Sequence, residues 1–167
     1  MVSRIERGRA TASLDDLAAL AGVVGLDLVI RLYPGGSPVR DAAHARIMGR
    51  LKAMLPAHFQ LASEVPMPIL GDQRAIDAVL VKPALSVGFE LESRLLDAQA
   101  LVRRVMLKKR DARLACMVLV LPDTPANRLS VATAQPTVSA AFALDHRATL
   151  RTLRAGTTPP ADGMLWV

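Results

Sequence analysis

Residues 115–121 read ACMVLVL, seven positions without one polar side chain. A strand with one wet face alternates apolar and polar residues, because successive side chains point to opposite sides of the sheet. A strand apolar at every position is buried on both faces. The surrounding segments fit that demand. Helical spacing is read at 41–55 (DAAHARIMGRLKAML), with Ala43, Ile47, Leu51, Met54 and Leu55 on one side, and at about 95–114. Strands are read at 59–70, 75–81 and 86–92, joined by the short turns GDQR and KPA, so that the last two form a meander. After ACMVLVL come PDTPANR, a short helix or loop; HRATLRTLR, a basic helix; and MLWV, a final strand. The fold class is α/β, a mixed central sheet flanked by helices.

The amino-terminal part is different. Ser13 with Asp16 three residues on forms a capping-box pattern, Leu14, Leu17, Ala18, Ala21 and Val24 give an apolar helix face, and Gly25 suits the stop. DLVIRLY alternates like a strand. PGGSP then divides the chain into a segment 1–33, a connector 34–38 and an α/β domain 39–167.

Composition removes several function classes. Hydrophobic residues make up 51% of the 167, enough for a core, while a 3% aromatic fraction argues against base-stacking platforms for single strands. The formal net charge of +6 favours a phosphate-bearing partner. The one cysteine, Cys116, excludes an internal disulfide, fits a reducing cytoplasm, and in its apolar run reads as a buried structural thiol. No apolar signal core or membrane-length run occurs. His44, His58 and His146 lack zinc-ligand spacing, and PGGSP lacks the Lys-Ser/Thr of a phosphate loop.

The chemistry-bearing set is acidic. In SVGFELESRLLD, Glu90 and Glu92 fall on one strand face and Phe89 and Leu91 on the other. Asp77 interrupts AIDAVLV, and pairing through KPA sets it across from Glu90. Two carboxylates on adjacent strands are oxygen ligands for Mg²⁺, with a nearby lysine to position water and offset developing charge in phosphodiester hydrolysis. Glu92 and Glu64 are weaker candidate ligands. The ordinary alternative is solvated strand-edge acids, with Glu92 pairing Arg94 or Arg74. Cations follow: Arg103, Arg104, Lys108, Lys109, Arg110 and Arg113, then Arg147, Arg151 and Arg154 at i, i+4 and i+7. Arg103, Arg110, Arg104 and Lys108 are read on one helix side, opposite Leu101, Val105 and Leu114. Each stripe is either phosphate-facing or a solvated surface.

RAIDAVLV, VGFELESRLLDAQALVRRVMLKKRDARLA and VLVLPDTPANR, in that order, resemble the PD-(D/E)XK restriction-endonuclease-like domain that follows an Xre-type (lambda-repressor-like) helix-turn-helix in bacterial regulators. VSRIERGRATASLDDLAALAGVVGLDLVIRLY resembles the last portion of that helix-turn-helix module, with VSRIERG as the end of its recognition helix. The resemblance covers about residues 2–167. It implies metal ligation by Asp77 and Glu90, and Glu92 stands where the motif has its lysine. Lys108 and Lys109, on the following helix, are the candidate replacements. It also implies that the chain starts inside the recognition helix, so that 1–33 is a remnant, from a late start or a natural truncation. The function implied is a cytoplasmic, DNA-associated transcription regulator whose nuclease-like domain is catalytically degenerate. The alternatives are a Mg²⁺-dependent phosphodiesterase using Asp77, Glu90 and a migrated lysine, and a homodimeric interaction scaffold.

Overall fold

The computed structural model describes residues 12–28, 38–81 and 86–167. The chain divides into two compact units, Met1–Gly35 and Gly36–Val167. In the first, helix α1 spans Leu14–Val23. Ser13 caps it reciprocally with Asp16: the Ser13 side chain accepts from the Asp16 N–H, and the Ser13 N–H donates to Asp16 Oδ2. That hydrogen bond to the backbone, with one to the Ser13 hydroxyl, holds the Asp16 carboxyl below its usual range. Gly25 takes φ +72 and the Leu26 N–H returns to the Ala21 carbonyl, a left-handed stop that satisfies the last turn. Leu14, Leu17, Val23 and Val24 are exposed. The expected strand 27–33 lies outside the described residues from position 29, and residues 27 and 28 have no regular structure.

The second unit opens with α2, Pro38–Met54, three residues earlier than its periodicity suggests. Strands β1 (Gln60–Pro66), β2 (Ala75–Val81) and β3 (Val87–Leu91) follow as an antiparallel meander. Residues 82–85, which include the expected KPA turn, lie outside the described residues. Helix α3 (Ala98–Asp111) crosses over to β4 (Cys116–Leu121), parallel to β3. Helices α4 (Pro125–Thr133), α5 (Gln135–Ala141) and α6 (His146–Arg154) then lead to β5 (Gly163–Trp166), parallel to β4. The sheet order is β1-β2-β3-β4-β5. Helix α5 has no counterpart among the sequence expectations. Pro136 sits in its first turn, where a missing N–H removes no helix hydrogen bond.

Strand β4 is buried at all six positions. Cys116, Val118 and Val120 pack with Phe89 and with Ile47 and Leu51 of α2 and Leu153 of α6. Met117, Leu119 and Leu121 pack with Leu101 and Val105 of α3 and Val138 of α5. The sheet is thus the middle of three layers. Among the described residues no helix is long and apolar enough to cross a membrane.

One buried polar side chain fastens the loop after β3. Asn127, 1% exposed, accepts from the Leu95 N–H and donates to the carbonyls of Ser93 and Pro122. Asn127→Ala would orphan those three backbone groups. We expect it to lower unfolding free energy by about 2–4 kcal/mol in urea titration. A loss under about 0.5 kcal/mol would mean that water replaces the amide.

Candidate metal and ion-pair site

Register places the acids. The pairs Ser63↔Ala78 and Val65↔Ile76 set Glu64 opposite Asp77, and Ala78↔Phe89 sets Asp77 opposite Glu90. Glu64, Asp77 and Glu90 therefore occupy one row across β1, β2 and β3. The β2–β3 ladder ends at that row. There the Leu91 N–H donates to Asp77 Oδ2 at 2.7 Å, so a side chain continues the pairing that the backbone gives up. Glu64 has φ +49, a left-handed conformation unusual for a residue with a Cβ.

Glu90 is 3% exposed and Lys108 7%, and the lysine Nζ lies 2.8 Å from both Glu90 oxygens. Arg104, one turn earlier on α3, donates to Glu90 Oε1 at 3.3 Å and to Glu92 Oε2 at 2.8 Å. Glu92 thus pairs with Arg104 and not with Arg94 or Arg74. Arg74 is instead clasped by Asp72 and Asp111, which raise its pKa. A second correction concerns α3: Lys108 belongs to its buried face with Leu101 and Val105, not to the solvent-facing cationic side. An ammonium enclosed in this way, with a carboxylate bonded through both oxygens, is poorly placed to meet a phosphate from solvent.

Asp77 is placed differently. Burial, and next the neighbouring Glu90 carboxylate, push its pKa up to about 6 against the pull of Lys108, the Leu91 N–H and His44. His44, on α2, holds its Nε2 3.8 Å from Asp77 Oδ2. That nitrogen is buried without a hydrogen-bond partner. His44, Glu64 and Asp77 each offer a ligand atom, all within 4.8 Å of one another. No local spacing announces this: the histidine comes from a helix before the sheet, and three-dimensional packing alone brings it to Asp77.

A Mg²⁺ ion shared by Asp77 and Glu90 would compete for a carboxylate that Lys108 engages at both oxygens and Arg104 at one. Lys109, the other candidate lysine, pairs with Asp162 at 2.8 Å; Asp162 in turn accepts from the Met117 N–H. It is not brought to the acidic row. Burial, and then Asp162, push the Cys116 thiol up to about 12, which leaves it protonated and inert as a nucleophile.

The remaining cations sort by partner. Arg110 bonds Asp111 beside it, while Arg103 and Arg113 are exposed, the latter at φ +54 just past the helix end. Arg147, Arg151 and Arg154 are exposed on α6, opposite its buried Thr149 and Leu153. Arg46, Arg50 and Lys52 are exposed on α2 in the same layer, and Arg154 Nε donates to the Met54 carbonyl between the two helices. Arg50 Nη1 donates to the Val167 main-chain oxygen at 3.4 Å, and none of these six pairs with an Asp or Glu side chain among the described residues. Comparison with protein-family models, curated proteins and solved structures returns no significant match.

Proposed function

We infer that the chain is a DNA-associated, regulator-type protein whose nuclease-like domain is catalytically degenerate. The observation that carries this reading is the Glu90–Lys108–Arg104 cluster. A helix, a three-stranded meander, a crossover helix and a parallel fourth strand follow one another in the order that the restriction-endonuclease-like resemblance implies. Within that order, the strand acid assigned to metal is neutralised from inside the protein. The position after it holds Glu92, tied to Arg104, where hydrolysis needs a cation. Ligation of Mg²⁺ by Asp77 and Glu90 in a phosphodiesterase would compete with Lys108 and Arg104 for the Glu90 carboxylate.

Support for DNA comes from the α2–α6 layer, where the exposed cations are not spent on internal acids. The α3 cations largely are. Duplex DNA should be retained at low salt, with affinity falling steeply as salt rises. Replacing Arg147, Arg151 and Arg154 together by Gln should flatten that dependence by roughly 0.9 in log–log slope for each phosphate no longer neutralised. No retention of duplex at low salt would end the reading. Hydrolysis of labelled DNA with Mg²⁺ or Mn²⁺, abolished in Lys108→Ala, would replace it with the enzyme.

A further inference from the structure

We propose that His44, Glu64 and Asp77 form a site for one transition-metal dication, Mn²⁺ or Zn²⁺, that clamps helix α2 to the β1–β2 hairpin and lies one strand away from the Glu90–Lys108 pair. The donor set is one imidazole nitrogen and two carboxylates, from three different elements. A direct histidine–aspartate hydrogen bond would close to about 2.8 Å. The observed 3.8 Å leaves His44 Nε2 buried, facing a carboxylate and bonded to nothing. Metal–ligand bonds of about 2.0–2.2 Å put neighbouring ligand atoms roughly 3–3.5 Å apart. Atoms within 4.8 Å of one another reach that spacing by small side-chain shifts. The exposed Glu64 side chain is free to make the largest of them.

The imidazole sets the class of ion. Mg²⁺ prefers oxygen and keeps its waters, whereas mixed nitrogen and carboxylate donors suit Mn²⁺ and Zn²⁺. The left-handed backbone at Glu64 is consistent with a residue held in place for its side chain. The site does not depend on the DNA-association reading, because none of its residues is one of the exposed cations of the α2–α6 layer and its test contains no nucleic acid.

The test is calorimetric titration of the full chain with MnCl₂, ZnCl₂ and MgCl₂, repeated on His44→Gln, Glu64→Gln and Glu90→Gln, with circular dichroism to check folding. Glu64 is exposed, so its variant keeps the fold even if His44→Gln does not. One Mn²⁺ or Zn²⁺ should bind per chain. Mg²⁺ should bind far more weakly, His44→Gln and Glu64→Gln should each lose about tenfold or more in affinity, and Glu90→Gln, which removes a neighbouring charge but no ligand, should lose less than either. The absence of saturable heat with either transition metal would overturn the site. So would affinity lost in Glu90→Gln but kept in His44→Gln, or equal affinity for Mg²⁺ with no dependence on His44.

Discussion

Lys108→Met is expected to destabilise the protein by about 3–5 kcal/mol, the cost of leaving one member of a buried ion pair without its partner. Glu90 stays 3% exposed beneath α3, and its two oxygens lose the ammonium that sits 2.8 Å from each. Arg104 is the sole remaining cation bonded to Glu90 among the described residues, at 3.3 Å, and it is shared with Glu92. That places the effect toward the lower end of the range. The double variant Lys108→Met/Glu90→Leu removes both charges and should recover most of the loss, since an apolar pair of similar volume often matches a buried ion pair. Urea unfolding of the four proteins in the cycle measures the coupling. As a control, Asp123→Asn breaks an ion pair whose two side chains are 52% and 51% exposed, leaves Arg128 over the Trp166 ring, and should cost little. A loss of similar size for Lys108→Met would mean that water reaches Glu90 and that the pair is not enclosed.

The layers were legible because they rest on short-range patterns. Seven apolar residues in a row required cover on both faces, and the capping box at Ser13 and the spacing of HRATLRTLR are local chemistry. The opposition of Asp77 and Glu90 followed from a short connection between two strands, and the register agrees. The expected grouping of Lys108 with Arg103 and Arg110 fails on spacing alone. At about 100° per residue, Leu101, Val105 and Lys108 fall within roughly 60° of one another, with Arg103 and Arg110 on the far side. Those three residues are the buried stripe of α3, so the wheel outweighs the lysine's charge. Leu114 would fall on the arginine side of that wheel; the helix ends at Asp111 and Arg113 turns left-handed, so it does not belong to α3. His44 and Asn127 were out of reach for another reason. Each acts on a segment distant in sequence, and a lone polar residue on a helix carries no periodicity that names its partner.

The stability of the metal-free protein should fall as pH rises from about 4 to above 6, and Asp77 is the cause. Its folded pKa of about 6 lies above the ordinary aspartate value of 3.8, so between those two values the native state holds a proton that the unfolded chain has released. Stability then decreases with rising pH across that window and is level for this group on either side. The difference corresponds to about 3 kcal/mol at neutral pH. Asp77 is 15% exposed, which leaves little solvent screening to discount. Asp16, Asp111 and Asp123, held below the usual carboxylate range by their partners, work in the opposite direction at lower pH. The clean observable is therefore the difference between parent and Asp77→Asn in chelator, by urea unfolding from pH 4 to 7.5. Asparagine keeps an oxygen to accept from the Leu91 N–H and carries no charge. The variant should match the parent near pH 4 and exceed it by about 2–3 kcal/mol at pH 7. A variant less stable than the parent at pH 7 would show that the Asp77 charge is already compensated in the free protein. A gain at pH 7 would instead mark Asp77 as a carboxylate kept ionised at a cost to the fold, which a bound cation would offset.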